Sequence, residues 1–400
     1  MSNSLLNISM ITKESLRVLK NELGFAKGVN RQYSSEFAKS GGKIGSVINI
    51  RKPVRFTVSD GAALEMQNIQ DQSEALTLDS QKHVGFQFSS KELTLNIDEF
   101  SKRYIKPAVA ALANKIDYDG LSLYDDIYQS TGTPGTTPNA FSYLTDAGTK
   151  LSNAACPVDD MRQIVFNPAA SGAMADGLKG LFHSTERIKE QYEKGLMGLA
   201  GGFKIKMDQN VRQHTVGAYA GSGAVNGANQ TGSSLVTNSW TSGSLSLVVG
   251  DVFTIADVYA VNPQSRESTG QLQQFVVTEA VTDTTGNATI KISPSITVSG
   301  QYQTVNASPA NGAAITMVGT QATQYPQNLA FHKDAFVLGM ADLQLPGGVD
   351  MAARAVDEDA GLSVRLVRAY DINNDTFPMR LDVLYGWKTV YPELANRIWG

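Results

Sequence analysis

Residues 245–255 read LSLVVGDVFTI, and residues 274–292 read QFVVTEAVTDTTGNATIKI. Short apolar runs rich in β-branched residues recur there, at 245–249, 252–255, 274–277 and 289–292. Turn signals separate them: Gly250-Asp251, Gly286-Asn287 and Ser293-Pro294. Alternation over a few residues, punctuated this way, is the pattern of an all-β module. The same composition fills residues 218–325, where only seven side chains are charged: Asp251, Asp257, Arg266, Glu267, Glu279, Asp283 and Lys291. Mixed patterns lie on both sides, and a helical spacing is expected to resume at 333–343. The β module therefore reads as inserted into a mixed domain, and the fold class as α+β with an inserted antiparallel, barrel-like β domain.

Working outward, residues 1–43 read as an arm. Thr12 is the expected N-cap of a helix whose Leu16, Leu19 and Leu23 share one face, with Gly24 ending the run. One apolar stripe on a polar, glycine-punctuated strap needs a surface to cover it, on this subunit or another. The arm is expected to be dispensable for folding. Residues 44–95 read as a long two-stranded ribbon. Ile48, Ile50, Val54, Phe56 and Val58 alternate on one limb, and Val84, Phe86 and Phe88 on the other. The polar stretch at 59–82 suits a projecting loop laid on a neighbouring molecule, the alternative being an ordinary hairpin with a mobile tip. Residues 96–150 hold the strongest helical spacing: Phe100, Ile105, Val109, Leu112, Ile116, Leu123 and Ile127 predict a spine over 97–128, about 48 Å long. Pro107 should bend it or mark a join, and Gly120 is a second weak point. Residues 151–217 look mixed, with a buried strand at 164–166, an N-cap at Asn167 before Pro168, and a helix after Ser184. Residues 326–400 return to the first style, with strands near 362–366 and 381–385 around a turn at 371–375.

Charge and motifs exclude more than they assign. With 34 basic and 38 acidic residues the chain lacks the basic excess of a sequence-specific nucleic-acid binder. Met1 precedes the polar Ser2-Asn3-Ser4, and no stretch approaches the roughly 18 apolar residues of a membrane span. The lone Cys156 has no partner for an internal disulfide. Folding in a reducing cytoplasm is expected, with Cys156 a buried structural thiol. None of His83, His183, His214 and His332 has metal-ligand spacing, so packing or surface roles are expected. Gly221, Gly223 and Gly227 miss both phosphate-loop spacings and read as a flexible linker; Asp357-Glu358-Asp359 reads as a solvated turn rather than a cation site. No catalytic constellation, cofactor site or metal site emerges, and an enzyme is not expected.

Several segments, taken in order, carry a resemblance. Gly195-Leu-Met-Gly198-Leu-Ala-Gly201-Gly-Phe203 runs on to Asn210-Val211 and His214-Thr215. Asp251-Val-Phe-Thr-Ile255, Asn262-Pro263 and Gly270-Gln-Leu-Gln-Gln-Phe275 follow, and Leu381-Asp-Val-Leu-Tyr385-Gly386 closes the series. The chain resembles the coat proteins of short-tailed Salmonella phages, a branch of the Hong Kong 97-like capsid fold with an inserted domain. The resemblance implies a major capsid protein forming pentamers and hexamers of an icosahedral shell around double-stranded DNA. It implies a separate scaffolding protein, a portal ring at one vertex, expansion on packaging, and non-specific contact with the packaged DNA. It also implies a place in the virion capsid, after assembly in the host bacterial cytoplasm. The rival readings are an encapsulin-like cellular compartment and a β-rich surface binding module. No leader, cofactor or membrane partner is expected.

Contact candidates follow from charge. The acidic stretch carries Asp60, Glu65, Asp71, Glu74 and Asp79; the ribbon's root carries Arg51, Lys52 and Arg55; the spine's start adds Lys102, Arg103 and Lys106. An extended ribbon of about sixteen residues per limb would hold tip and root roughly 50 Å apart. The acidic tip is therefore expected to meet a basic patch on a neighbouring subunit.

Overall fold

The computed structural model describes residues 8–33, 45–58, 61–62, 66–69, 71–89, 104–178, 198–357 and 361–400. Contacts divide the chain into two compact units, one of residues 1–52, 73–120 and 336–390, the other of 53–72, 121–335 and 391–400.

The first unit is organised by one strand. Thr376–Thr389 pairs with Ser80–Ser89 over ten residues, from Thr376 opposite Ser89 to Tyr385 opposite Ser80. It also pairs with Leu362–Arg368 and with Phe336–Met340, and Met351–Asp357 completes the sheet. The alternation at Val84 and Phe86 thus marks a strand, but its partner is not the first ribbon limb. Val47–Lys52 pairs instead with Gln72–Thr77, which makes the ribbon's return limb begin earlier. Alternation sets which face a strand buries and leaves its partner open. The helical spacing at 333–343 is also corrected. Only a 3-10 turn, Lys333–Ala335, is helical there, and Phe336–Met340 is a fully buried strand. A continuous apolar run has no period that separates a buried strand from a buried helix.

The arm helix covers Ile8–Glu22, so Thr12 lies inside it and is buried rather than capping it. Its stripe is covered by its own unit: Leu16, Leu19 and Leu23 are buried, with the helix packed on Met351–Asp357 and Leu362–Arg368. Asp117, buried on the long helix, accepts hydrogen bonds from the backbone N–H groups of Gly24 (2.6 Å) and Ala26 (2.8 Å). The arm's apolar face is therefore core, contrary to the expectation that folding would not need it. The described α-helical part of the spine is Lys106–Leu121, continued by the 3-10 turn Ser122–Asp126; residues 97–103 lie outside the described residues. Pro107 falls in the first turn of Lys106–Leu121, where its missing N–H costs little, directly after a π-helical turn at 104–105, so it marks a join. Gly120 is required by packing, since a Cβ there would sit 2.5 Å from the Trp387 ring.

In the second unit, a seven-stranded sheet runs in the order Ser130–Thr131, Ala395–Trp399, Gln324–His332, Arg162–Phe166, Phe203–Met207 and Leu199–Ala200, with Gln213–Thr215 added on Gln324–His332. Helices Phe141–Asn153 and Pro168–Leu178 bury Leu144, Leu151 and Met174 against Phe166, Phe203 and Ile398. Asn167 caps the second helix, accepting from the Ala170 N–H at 2.8 Å. The helix expected after Ser184 lies outside the described residues. The inserted β domain is a six-stranded antiparallel sheet, in the order Ile315–Met317, Val252–Val261, Ser268–Val277, Ala288–Ile296, Gly232–Trp240 and Gly221–Val225. A bridge between Ala224 and Ala314 brings its two edges together, which makes it barrel-like. Phe253, Phe275, Ile290 and Leu235 fill the interior. The glycines at 221 and 223 belong to the first barrel strand, not to a linker, and Gly223 lets the Trp240 ring lie against the backbone.

Leu19→Ala is expected to lower the unfolding free energy by about 2–5 kcal/mol, the range for truncating a fully buried leucine. Urea denaturation of the subunit measures it. A loss below about 0.5 kcal/mol would show that the arm helix is not part of the core.

Candidate functional site

The predicted contact residues separate into engaged and free. Lys52 pairs with Glu74 at 3.0 Å, and Lys388 reaches the same carboxylate at 3.4 Å. Glu74 is thus on the ribbon's return strand and satisfied within its own chain, not at a distant tip. Arg55 pairs with Glu393 at 2.8 Å and lies 5.9 Å from the centre of the Tyr302 ring. Asp79 is exposed and accepts from the Ser80 hydroxyl at 2.9 Å. Arg51, Asp71 and Lys106 are exposed. Asp60, Glu65, Lys102 and Arg103 lie outside the described residues. Beyond the ribbon's root, Gln67 holds the Thr57 backbone from both sides, and Gln301 of the inserted domain donates to the Asn68 carbonyl at 2.8 Å.

Charge counting missed the ribbon's larger feature. Phe56 is 64% exposed, Val58 97% and Met66 86%, with Val47 and Ile69 exposed as well. Phe56, Val58, Met66 and Ile69 all lie in the second unit, so that unit holds several large apolar side chains in water. The signal was present in the alternation of Val54, Phe56 and Val58, which promises a face that needs covering.

A second constellation anchors the inserted domain. Asp251, fully buried just before the barrel strand Val252–Val261, accepts from the backbone N–H groups of Gly217 (3.1 Å) and Val248 (2.9 Å). It also accepts from His214 Nε2 at 2.9 Å, which leaves Nδ1 facing the Tyr124 hydroxyl at 3.2 Å. Beside it Arg397, wholly buried on the closing strand, donates through Nε to the Ile127 carbonyl and through Nη1 to the Gly250 carbonyl, both at 2.7 Å. Gly250 meets this contact at φ +95°, and a Cβ there would strike Asp125 Oδ1 at 2.5 Å. Burial pushes the Arg397 guanidinium down to about 10, with Asp125 opposing the shift. Burial raises the Asp125 carboxyl, with Arg397 opposing, and burial also raises the Tyr124 phenol. The Tyr–His–Asp order resembles a proton relay, yet the His214 and Asp251 side chains are 2% and 0% exposed, so no substrate reaches them. The cluster joins the turn after the long helix, the closing strand and the turn before Val252–Val261, and is a structural lock. Sequence reading treated His214 as packing and had no signal for the lock, because its members are spread from 124 to 397.

Cys156 is buried, and burial raises its thiol, the opposite of a reactive thiolate. Asp357 pairs with Lys20 at 2.7 Å, while 358–360 lie outside the described residues. Among the described residues no group of three or more His, Cys, Asp or Glu is placed to hold a metal ion, and no helix is long and apolar enough to cross a membrane.

A family model described as the P22 coat protein, gene protein 5, matches residues 1–398. The major capsid protein of Acyrthosiphon pisum secondary endosymbiont phage 1 is 22% identical over 292 residues, 68% of each chain. A solved structure from Mycobacterium phage Che8 aligns over 94% of this chain and 90% of its own, with 15% identity and a TM-score of 0.47. The CUS-3 coat protein I-domain aligns over 25% of this chain and 96% of its own, with 27% identity and a TM-score of 0.20.

Asp251→Ala is expected to destabilise the subunit by about 3–5 kcal/mol, because two backbone N–H groups and His214 lose their acceptor in a dry site. The exposed control Glu267→Ala should stay within about 0.5 kcal/mol of wild type. Equal urea midpoints for the two variants would show that the lock contributes nothing.

Proposed function

The chain belongs to the P22 coat protein family, and from that membership we propose that it assembles with a scaffolding protein into an icosahedral procapsid that expands around packaged DNA. It is a major capsid protein of a tailed bacteriophage, with an α+β, Hong Kong 97-like fold, and its role is structural. The finer reading covers the partners: pentamers and hexamers of itself, a scaffolding protein, a portal ring at one vertex, and double-stranded DNA held without sequence preference inside the virion. Assembly takes place in the host bacterial cytoplasm.

The observation that carries this reading is the exposed apolar ribbon. Val47, Phe56, Val58, Met66 and Ile69 are of little use to an isolated subunit, and they suit a surface that another copy covers. Arg51, Asp71 and Lys106, with Asp60, Glu65, Lys102 and Arg103, remain the proposed charged contacts around it. Each exposed pair would contribute only about 0–1 kcal/mol, but a shell repeats the contact in every subunit. Lys52, Glu74 and Arg55 already have partners in their own chain and are proposed to stiffen the ribbon's base. A formal net charge of -4 favours a wall that tolerates DNA over one that grips it.

Electron microscopy of the purified protein, with and without a scaffolding partner, tests the reading. Closed shells are expected with the partner present. Val58→Asp should leave subunit stability within about 0.5 kcal/mol, since the side chain is already in water, and should suppress shells. Shells of normal yield from Val58→Asp would remove the ribbon from the contact, and free subunits alone from wild type would overturn the assembly reading.

A further inference from the structure

An open cleft of about 460 Å³ lies in the second unit, where the ribbon strand leaves its root. Phe56, Pro263 and Leu394 give it apolar walls, and its charged groups are Arg55, Arg266 and Glu393. Among the described residues, two positive charges thus face one negative charge. Arg55 holds that carboxylate through Nη2 at 2.8 Å. Arg266 is left over: its Nη1 is shielded from water and meets no acceptor among the described residues.

The turn that presents Arg266 is closely specified. Asn262 Oδ1 accepts from the N–H groups of Gln264 (2.8 Å) and Ser265 (3.1 Å). The Asn262 N–H donates to the Glu267 carbonyl at 3.0 Å, and the Arg266 N–H to the Asn262 carbonyl at 2.9 Å. Arg266 itself takes φ +62°, a region that side chains other than glycine enter at a cost. Burial, and then the like charge of Arg55, hold its guanidinium below its ordinary value. A guanidinium N–H shielded from water and without an acceptor is completed by an anion.

We propose that this cleft receives a carboxylate from the acidic ribbon segment, residues 60–71, of a second copy of the chain. The inference rests on the shell reading above, which brings copies together. A guanidinium offers a planar fork that matches a carboxylate. The segment carries Asp60, Glu65 and Asp71, with no Lys or Arg from 56 to 81. Asp71 is exposed, and the exposed Met66 and Ile69 suit the apolar walls. Among the described residues one positive charge of the cleft is left uncompensated, which suits one carboxylate and is too little for a phosphate backbone, whose binding draws on several cations.

The test uses the unassembled full-length subunit and a synthetic peptide of residues 57–74, TVSDGAALEMQNIQDQSE, in a calorimetric titration. Saturable binding is expected, weakened about tenfold by Arg266→Gln, as for the loss of one charge-assisted hydrogen bond. A peptide with Asp60, Glu65 and Asp71 changed to Asn, Gln and Asn should bind as weakly. If Arg266→Gln fails to fold by urea denaturation, Arg266→Lys keeps the charge without the fork and should show a smaller loss. Absence of binding, or equal binding to wild type and variant, overturns the proposal. So does displacement of the peptide by inorganic phosphate or a short DNA duplex at equal concentration, which would mark a general anion site. No shell is needed for these measurements, so their failure leaves the assembly reading standing. Failure of wild type to form shells leaves the peptide result unaffected.

Discussion

Taking a carboxylate and a guanidinium fully out of water is the constraint around which the second unit is arranged. Asp251 and Arg397 each cost several kcal/mol to desolvate unless surrounding groups replace water. The fold supplies most of them: two backbone N–H groups and His214 for Asp251, and two backbone carbonyls for Arg397, whose Nη2 alone has no acceptor among the described residues. Those partners come from the turn after the long helix, from the strand before the barrel and from the turn that precedes Val252–Val261. None can move without stranding a charge. An inserted domain attached by short strands alone would swivel; this one is fixed at its root by groups that tolerate one arrangement. Gly250 belongs to the same constraint, because a side chain at that position would displace Asp125.

The first unit solves a different problem with apolar burial. Its central strand, Thr376–Thr389, is paired on both edges, and the arm helix closes one side of the sheet. Buried Asp382 holds Arg365 at 2.7 Å and Arg380, so the strand's one inward charge is neutralised where it sits. The exposed apolar side chains of the ribbon take no part in the buried cores of either unit, so folding does not account for them. A subunit whose stability does not depend on its contact surface folds first and associates afterwards.

What could be read from the chain follows from how local each signal was. The barrel's strands, the buried strand at 162–166 and the cap at Asn167 are written in neighbouring residues, and those readings agree with the structure in kind if not in length. Pairing partners were not legible. The alternation of Val84 and Phe86 is equally compatible with the ribbon limb and with Thr376–Thr389, and only tertiary context chooses the latter. The arm's apolar stripe was visible, but the surface covering it lies more than three hundred residues away. The lock at Asp251 was invisible for the same reason. At the ribbon, charges drew attention because they are easily counted, whereas the exposure of Val58 and Met66 is a property of the folded chain.

Hydrogen–deuterium exchange, followed peptide by peptide in the free subunit and in assembled shells, distinguishes the ribbon from the buried lock. Backbone amides of the ribbon beyond its paired strands, at 54–58 and 66–69, should exchange quickly in the free subunit and slow markedly once shells form. Amides at 213–217 and 248–252, around the buried lock, should be slow in both states, because their protection comes from the subunit's own fold. Ribbon amides that exchange at the same rate free and assembled, with new protection confined to other surfaces, would contradict the account.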